Sequence, residues 1–274
     1  MLRDRVVVIT GGGRGIGRAC ALGAAAHGAA VIVADYGVNL DGSAPNSGIA
    51  EITASEIRQL GGRAHAVADT VVSMSGAQRM IDSAVDTWGR VDGVICCAGI
   101  VRHRPFLKIS EDDWDEVINT HLKGHFTIFQ AAARAMVDGK TGGSLVGISS
   151  AYLLAVAHRA NYRAAKAGIV ALCMTAAIDL AEHGIRVNCI APVADTRMTQ
   201  QAQFETESRP EDIAPMAVYL LSPASDSTTG RIYGVDGQRI SAWQDPFENR
   251  SVKKTSGSSW TVSEIAAEMR FLQP

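Results

Sequence analysis

A glycine-rich turn near the start of the chain limits the folds that are open to it. Residues 10–17 read Thr-Gly-Gly-Gly-Arg-Gly-Ile-Gly, after an apolar, β-branched run at residues 5–10 and before a run of helical composition at residues 18–27. A short apolar run of this kind predicts a strand that is buried on both faces, as in a parallel sheet. Glycines between a strand and a helix let the backbone approach phosphate groups, and the helix N-terminus adds N–H donors. The turn therefore predicts an α/β fold with a nucleotide pyrophosphate site; the alternative is a glycine-rich loop that binds no nucleotide.

A second predicted strand, at residues 29–34, ends in Asp35. An acidic side chain about 20 residues beyond the glycines can hydrogen-bond the hydroxyls of an adenosine ribose. The same carboxylate would repel a 2′-phosphate. Asp35 therefore predicts NAD, and not NADP, as the cofactor.

Tyr162 and Lys166 lie four residues apart in a stretch of helical character. Side chains at i and i+4 share one helix face, so the phenol and the ammonium can meet the same ligand. A free tyrosine has a pKa of about 10, and a positive charge about 4 Å away could lower it by up to about three units. We therefore expect Lys166 to lower the pKa of Tyr162 toward neutrality and to bond the nicotinamide ribose, with Tyr162 as the general acid/base of a hydride transfer between a nicotinamide cofactor and an alcohol or ketone. The alternative is a surface tyrosine and lysine one turn apart.

Several further motifs extend this pattern. They are Asp69, the Cys-Cys-Ala-Gly run at residues 96–99, a serine at 149 or 150, and the Ile-Arg-Val-Asn-Cys-Ile-Ala-Pro stretch at residues 185–192. With them, the chain resembles the short-chain dehydrogenase/reductase family over roughly residues 3–240. The resemblance implies a single Rossmann-like, doubly wound parallel sheet with helices on both faces. The alternation of strand-like and helix-like runs places this catalytic domain at residues 1–237, followed by a C-terminal extension at 238–274 that is not an independent domain.

The resemblance also implies a set of cofactor contacts. These residues are Gly11, Arg14, Gly15, Ile16, Gly17, Asp35, Asp69, Thr70, Cys97, Ala98, Gly99, Tyr162, Lys166, Pro192, Val193 and Thr196. In that family the residue at the position of Asp69 contacts the adenine, and the backbone just beyond Pro192 holds the nicotinamide carboxamide.

The family also has a serine that bonds the substrate oxygen. Counting forward along the predicted strand at residues 144–148 assigns this role to Ser150, whereas counting back from Tyr162 assigns it to Ser149. One residue is missing from the stretch 151–159 relative to the family's usual spacing, and Tyr152 stands where a glycine is usual. We favour Ser150, because deletions fit loops better than strands. Adjacent strand residues point to opposite faces, so only one of the two can reach the substrate.

Two positions depart from the family pattern. Cys96 and Cys97 replace two asparagines, and we interpret them as small apolar filling rather than as a redox pair. His121 replaces an asparagine that helps hold a water in a proton relay to the active-site lysine. Histidine can also donate and accept, so His121 is a candidate for that catalytic role; the alternative is a histidine that only packs the helix.

Three stretches indicate a closer resemblance. They are the polar Gly/Ser/Pro-rich insertion at residues 37–50, residues 120–126 and residues 190–200. All three resemble the (3R)-hydroxyacyl-CoA dehydrogenase domain of multifunctional enzyme type 2 and its free-standing bacterial relatives. The implied substrate is a 3-hydroxyacyl-CoA. A cyclic alcohol such as a steroid or terpenoid is the alternative for the same mechanism, and an NAD-binding sensor or scaffold is the alternative of another class.

Composition bounds the partners and the location. The net charge is −2 with no basic stripe, so we expect no nucleic acid partner. No apolar run is long enough to span a membrane, none of the five cysteines has zinc-ligand spacing, and no signal peptide is recognisable. We expect reduced thiols, no bound metal and a cytoplasmic location, and the resemblance implies a homodimer or homotetramer.

The periphery of the predicted site is less constrained. Arg102, His103 and Arg104 could meet an acidic group such as a CoA phosphate, or form a solvated rim. Only residues 197–209 stand where many family members have a long helical lid, which predicts an open cleft. The extension contains a predicted helix at residues 262–271 and either covers the substrate or a partner, or docks as a simple tail.

Overall fold

The computed structural model describes residues 1–151, 157–201 and 205–243. Their strands are β1 (Val6–Thr10), β2 (Ala30–Ala34), β3 (Arg63–Val67), β4 (Gly93–Cys96), β5 (Gly143–Ile148), β6 (Ile185–Val193), β7 (Ile232–Asp236) and β8 (Arg239–Trp243). The helices are α1 (Gly15–Ala26), α2 (Gly48–Gln59), α3 (Met74–Trp88), α4 (Glu111–Ile118), α5 (Gly124–Asp138), α6 (Ala160–Asp179), α7 (Arg197–Gln201) and α8 (Pro210–Leu221). The predicted helix at 262–271 and Tyr152 lie outside the described residues.

The strands form one eight-stranded sheet in the order β3-β2-β1-β4-β5-β6-β7-β8. Each pair of neighbouring strands from β3 through β7 is parallel. The chain winds outward from β1 in one direction and then, from β4, in the other. The predicted doubly wound parallel sheet is confirmed.

β8 was not predicted. It follows β7 after the two-residue turn Gly237-Gln238, and a turn this short reverses the chain. The sheet therefore continues past Gly237, the predicted end of the catalytic domain. Residues 244–274 of the predicted extension lie outside the described residues.

The central strands are buried on both faces, as their apolar composition predicts. All residues of β1 and β2 are buried. On one face, Ile9 and Val33 belong to the same buried cluster as residues of α1, α2 and α8. On the other face, a Cβ added at Gly147 would lie 2.6 Å from Cys173 Sγ of α6. Helices thus cover both faces of the sheet, and a ligand can reach it at the ends of its strands.

The parallel register brings the carboxyl ends of the strands to one edge. Thr10 pairs with Ala34 and with Cys96, and Ile148 pairs with Ile190. The residues that follow these positions therefore meet at the same edge, where ligands bind in open α/β sheets.

The predicted insertion forms a loop against the segment that follows β4. The Val101 N–H donates to Leu40 O at 2.7 Å, and Arg102 Nε donates to Asp41 O at 2.8 Å. The last residues of the stretch 37–50 belong to α2, which begins at Gly48. The loop thereby forms a wall at the carboxyl edge of the sheet. Within the part of the chain that the structure describes, no helix combines the length and apolar character needed to cross a lipid bilayer.

Candidate active site

A cavity of about 940 Å³ opens at the carboxyl edge of the sheet. It is bordered by every residue that the sequence nominates for the site. These residues are Gly11, Arg14, Gly15, Ile16, Gly17, Asp35, Asp69, Thr70, Cys97, Ala98, Gly99, His121, Ser149, Ser150, Tyr162, Lys166, Pro192, Val193 and Thr196. The fold thus brings together positions that are separated by up to two-thirds of the chain.

The glycine turn packs backbone against backbone. Gly11 has a φ of +63°, and a Cβ added there would lie 2.8 Å from Ala98 Cα. A Cβ at Gly17 would lie 2.1 Å from Gly11 O. The Ala98 N–H also donates to Thr10 Oγ1 at 3.3 Å. Side chains at Gly11 and Gly17 are therefore excluded by the protein itself, and α1 begins directly at the cavity wall.

Asp35 borders the cavity and is held by backbone donors. Its Oδ2 accepts from the Gly13 N–H at 2.9 Å, and its Oδ1 accepts from the Gly37 N–H at 2.7 Å. Each oxygen keeps a second lone pair for a ligand. The Arg14 guanidinium donates to Val38 O at 3.1 Å, which ties the turn to the insertion loop.

Asp69 is engaged by Arg79 on α3. Arg79 Nε donates to Asp69 Oδ2 at 2.6 Å, and the Thr70 N–H donates to Asp69 Oδ1 at 2.8 Å. Burial opposes ionisation of this carboxyl, but the hydrogen bonds from Arg79 and Thr70 outweigh it and lower its pKa. Asp69 is therefore a fixed anion at the cavity wall.

Tyr162 and Lys166, both on α6, border the cavity next to each other. Lys166 is buried, and its Nζ donates to Ile148 O at 2.7 Å and lies 5.5 Å from the centroid of the Tyr162 ring. Burial, with a smaller contribution from Arg163, lowers the pKa of Lys166 to about 8. The two side chains lie on one helix face, as predicted.

The predicted lowering of the Tyr162 pKa is wrong. Desolvation raises the pKa of Tyr162, and the charges of Arg163 and Arg159 oppose this only in part. Spacing alone suggests a Coulomb attraction between Lys166 and a phenolate, but it does not include the cost of desolvating that phenolate. The Lys166 ammonium also gives a hydrogen to Ile148 O. The structure therefore favours a protonated phenol at neutral pH.

The two candidate serines have different partners. Ser149 is buried, and its Oγ donates to the backbone oxygen of Lys166 at 2.8 Å. Ser150 is only partly buried, and its Oγ accepts from Arg163 Nη1 at 2.9 Å. Both follow the end of β5 at Ile148, although the Ser149 N–H still donates to Ile190 O at 2.8 Å. Because the Ser149 hydroxyl donates its hydrogen to helix α6, the geometry favours Ser150 for contact with a substrate.

His121 lies in a π-helical turn, Asn119–Lys123, between α4 and α5. Its ring packs edge to face against Tyr162, and its Nε2 is 2.8 Å from Ile100 O and 3.1 Å from Ile100 N. Its Nδ1 is buried and meets no donor or acceptor among the described residues. Burial, together with the charge of Lys166, holds the pKa of His121 well below its usual value, so the ring is neutral. π-helical turns often occur at functional sites.

Sequence reasoning missed three residues at this end of the site. His125 is buried, with Nδ1 2.6 Å from His121 O and Nε2 accepting from the Ile148 N–H at 3.3 Å. Arg159 and Arg163 border the cavity on either side of Tyr162 in sequence. Their four-residue spacing places two cations on the helix face that also presents Tyr162 and Lys166, and this spacing was a usable signal.

The predicted rim residues behave differently from one another. Arg102 Nη1 and Arg104 Nε lie 3.8 Å and 3.4 Å from carboxylate oxygens of Asp113. His103 borders the cavity, and burial followed by the charges of Arg159 and Arg163 lowers its pKa to about 4. The charges of Arg102 and Arg104 are thus partly balanced within the protein.

Comparison with known proteins places these features in a family context. A family model described as short chain dehydrogenase matches residues 5–207. A short-chain type dehydrogenase/reductase of Mycobacterium tuberculosis is 38% identical over 242 residues, covering 87% of this chain and 84% of that protein. The (3R)-3-hydroxyacyl-CoA dehydrogenase of Rattus norvegicus is 36% identical over 253 residues, covering 86% and 96%. The peroxisomal multifunctional enzyme type 2 of Mus musculus is 39% identical over 229 residues, covering 82% of this chain and 31% of that protein, so the match spans under a third of the mouse enzyme.

Solved structures give the same picture. A short chain dehydrogenase from Mycobacterium avium superposes with a TM-score of 0.87 at 36% identity, covering 99% of this chain and 95% of that chain. A short chain dehydrogenase from Mycobacterium paratuberculosis bound to NAD superposes with a TM-score of 0.78 at 26% identity, covering 86% and 97%. The residues matched by the family model, 5–207, include the glycine turn, the two serines, Tyr162 and Lys166.

Proposed function

Because the chain belongs to the short-chain dehydrogenase family and is an oxidoreductase acting on CH–OH groups, we propose that it is an NAD-dependent enzyme that interconverts a 3-hydroxyacyl-CoA and the corresponding 3-oxoacyl-CoA. One observation carries the proposal: the glycine turn, Asp35, Ser150, Tyr162 and Lys166 all border one cavity. Within it, Lys166 lies beside the Tyr162 ring, and Arg163 contacts both that ring and Ser150 Oγ. A dinucleotide bound along this cavity would end beside the proton donor.

The residues present fit NAD. The glycine turn offers backbone where a Cβ would clash, and α1 begins at the cavity with its free N–H groups. Asp35 and Asp69 are the anions at the adenosine end, and Lys166 is the residue that would reach the nicotinamide ribose. A bound NAD supplies the hydride acceptor at its nicotinamide ring. Asp35 supports NAD over NADP because a carboxylate repels a 2′-phosphate.

The proton chemistry falls to this chain's own side chains. In the reducing direction the Tyr162 hydroxyl donates its proton to the carbonyl oxygen, while the Ser150 hydroxyl donates a hydrogen bond to the same oxygen. In the oxidising direction the Tyr162 phenolate takes the proton of the substrate hydroxyl. The raised pKa of Tyr162 favours the protonated form, so oxidation is expected to speed up as the pH rises.

We assign His121 a relay role in this scheme. Its Nδ1 is the buried polar atom beside the tyrosine that has no partner among the described residues. A solvent molecule bonded there would link the site to Lys166. The packing of His121 against Tyr162 also agrees with the alternative, in which the imidazole only packs against the phenol and relays no proton.

A thioester substrate is supported by the names of the relatives and by the size of the cavity. The cavity also has a cationic side at Arg159 and Arg163, which suits an anionic or strongly polarised substrate. A homodimer or homotetramer is proposed from the family resemblance, and the exposed Phe126, Met174 and Ile178 on α5 and α6 are consistent with it. A cytoplasmic location is supported by the five cysteines, all of which are free thiols.

The decisive experiment follows absorbance of the reduced cofactor. The enzyme is given NADH or NADPH with acetoacetyl-CoA, and in parallel with a 17-ketosteroid or cyclohexanone. Loss of NADH with the thioester is the expected result. Turnover of the cyclic ketones alone would mean that the substrate is a cyclic alcohol and not a thioester. Activity with NADPH alone would contradict the role of Asp35. Binding of NADH without any turnover would favour a sensor.

A further inference from the structure

Arg163 contacts two of the groups on which the proposed function rests. It follows Tyr162 on α6 and is only 9% exposed. Its Nη1 donates to Ser150 Oγ at 2.9 Å, and its Cζ lies 5.4 Å from the centroid of the Tyr162 ring. The residue between Tyr162 and Lys166 that directly follows the tyrosine is thus part of the site and not a spacer.

We propose that Arg163 is a positioning residue: by donating to Ser150 Oγ, it makes the serine hydroxyl direct its own hydrogen to the substrate oxygen. This inference rests on the proposed function and deepens it. The inference concerns hydrogen bonds alone, and neither Arg163 nor Ser150 forms or breaks a covalent bond in it.

The argument starts from the hydrogen-bonding capacity of the two groups. A guanidinium donates only and stays protonated at every working pH, whereas a hydroxyl has one hydrogen and two acceptor lone pairs. Ser150 therefore cannot give its hydrogen back to Arg163. One lone pair is taken by the guanidinium, and the hydrogen remains available for an oxygen in the cavity. A hydrogen bond from a charged donor also withdraws electron density from Oγ and makes its hydrogen a stronger donor.

Ser149 provides the contrast within the same strand end. Its hydroxyl gives its hydrogen to the backbone oxygen of Lys166 at 2.8 Å. It holds helix α6 and has no hydrogen left for a substrate. Of the two neighbouring serines, Ser149 thus donates within the protein, whereas Ser150 accepts from Arg163 and keeps its hydrogen for a ligand.

The charge of Arg163 also acts on Tyr162. The groups that act on the phenol are Arg159, Arg163 and Lys166 from α6 and its N-terminus, and His121 from the π-helical turn. His103, from the segment after β4, and Glu116 of α4 border the same cavity. His121 is neutral, and burial keeps the pKa of His103 near 4, so neither carries charge at neutral pH. Arg163 and Arg159 oppose the desolvation that raises the Tyr162 pKa. Removal of Arg163 should therefore raise that pKa further.

The test is a mutant cycle of Arg163→Met with Ser150→Ala, measured on acetoacetyl-CoA, or on cyclohexanone if only that is turned over. We expect R163M to lower kcat/KM by about tenfold or more, in line with the loss of a charged hydrogen bond. In the S150A background, R163M should add at most about a threefold loss. Equal losses in both backgrounds would overturn the proposal.

A pH profile and a conservative variant separate positioning from simple packing. In the oxidising direction, the pH of half-maximal rate should move upward in R163M and return toward the original value in Arg163→Lys, which restores the charge. An unmoved profile in R163M would overturn the proposal. R163K also replaces R163M in the cycle if R163M does not fold. A lysine cannot reproduce the planar guanidinium fork, so R163K should still lower kcat/KM in the wild-type background, and this loss should disappear in the S150A background. If S150A and Tyr162→Phe leave activity intact, the proposed function itself fails; if they abolish it while R163M does not, only this inference fails.

Discussion

The ring of His121 meets the ring of Tyr162 edge to face, with their centroids 5.1 Å apart and an angle of 84° between their planes. On its other side the His121 ring lies where a side chain at Gly99 would point. The imidazole therefore fills the space between the end of β4 and the proton donor. This arrangement links a small residue beside the cofactor cavity to the orientation of the phenol.

Gly99→Ala tests this link. An added Cβ would lie 2.3 Å from His121 Cε1, and overpacking of this kind costs about 1–3 kcal/mol. We expect a matching loss of unfolding free energy in urea and a lower kcat. The double variant G99A/H121A should lose less stability than the sum of the two single changes, because the clash is gone. Strict additivity of the two losses would contradict the contact.

Tyr162→Phe tests the proton donor. We expect kcat to fall by at least about 10²-fold, because general acid–base catalysis contributes about 10²–10⁴-fold. Binding of NADH, followed by its fluorescence, should persist. Tyr219→Phe is the matched control, since this tyrosine packs on the core from α8 and does not border the cavity. A Y162F enzyme as fast as Y219F would rule out Tyr162 as the acid.

Asp35→Ser tests cofactor choice. The carboxylate would repel a 2′-phosphate, while two cations are close by, since Arg197 interacts electrostatically with both Arg14 and Asp35. Removing a like-charge contact should raise the ratio of kcat/KM with NADPH to that with NADH by about tenfold or more. Asp41→Asn is the control, because Asp41 is exposed in the insertion loop and accepts from Ser43. A ratio that stays the same in D35S and D41N would leave Asp35 without this role.

The stability of the fold should depend on pH through two buried histidines. Burial, and secondarily the charge of Lys166, lowers the pKa of His125 to about 3 and that of His121 well below 6.5. Below pH 6.5 the unfolded chain binds protons at these sites while the folded chain does not. The unfolding free energy should therefore fall as the pH drops from 6.5 toward 4, by about 1.4 kcal/mol per pH unit for each histidine.

Urea unfolding at pH 6.5, 5.5 and 4.5 measures this slope. His125→Gln should remove about one histidine's share of it, and His65→Gln, at an exposed position of β3, is the matched control. The half-buried His103, whose pKa burial lowers to about 4, adds to the background slope in all variants. An H125Q slope equal to that of H65Q would show that His125 is not held neutral.

The sequence predicted most of the frame because the relevant signals are local. The apolar runs of β1 and β2 and the glycines between strand and helix have backbone requirements that neighbours in sequence reveal. β8 was not predicted because most of its residues are exposed and have no strand-like apolar run. It is a strand because it pairs beside β7. Which of Ser149 and Ser150 faces a substrate depends on partners in α6 that no count along the chain can identify.

The electrostatics of the site were the least predictable part. The spacing of Tyr162 and Lys166 gives a charge–charge distance, but desolvation depends on how much protein surrounds the phenol, and this term has the larger effect. Arg163 was overlooked because the position after the tyrosine is unspecified in the motif. Its spacing from Arg159 could have indicated a second cation on this helix face, but only the structure shows that it donates to Ser150.

Lys166 is bonded to the end of β5 in two ways. Its side chain donates to Ile148 O, and its own backbone oxygen accepts from Ser149 Oγ. These two hydrogen bonds fix the N-terminal half of helix α6 to the end of the strand directly. We therefore expect a change of one residue in the chain between the serines and Tyr162 to leave donor and acceptor aligned. The position of the proton donor is thus set by where the helix is attached to the sheet, and the length of the connecting segment has little influence on it.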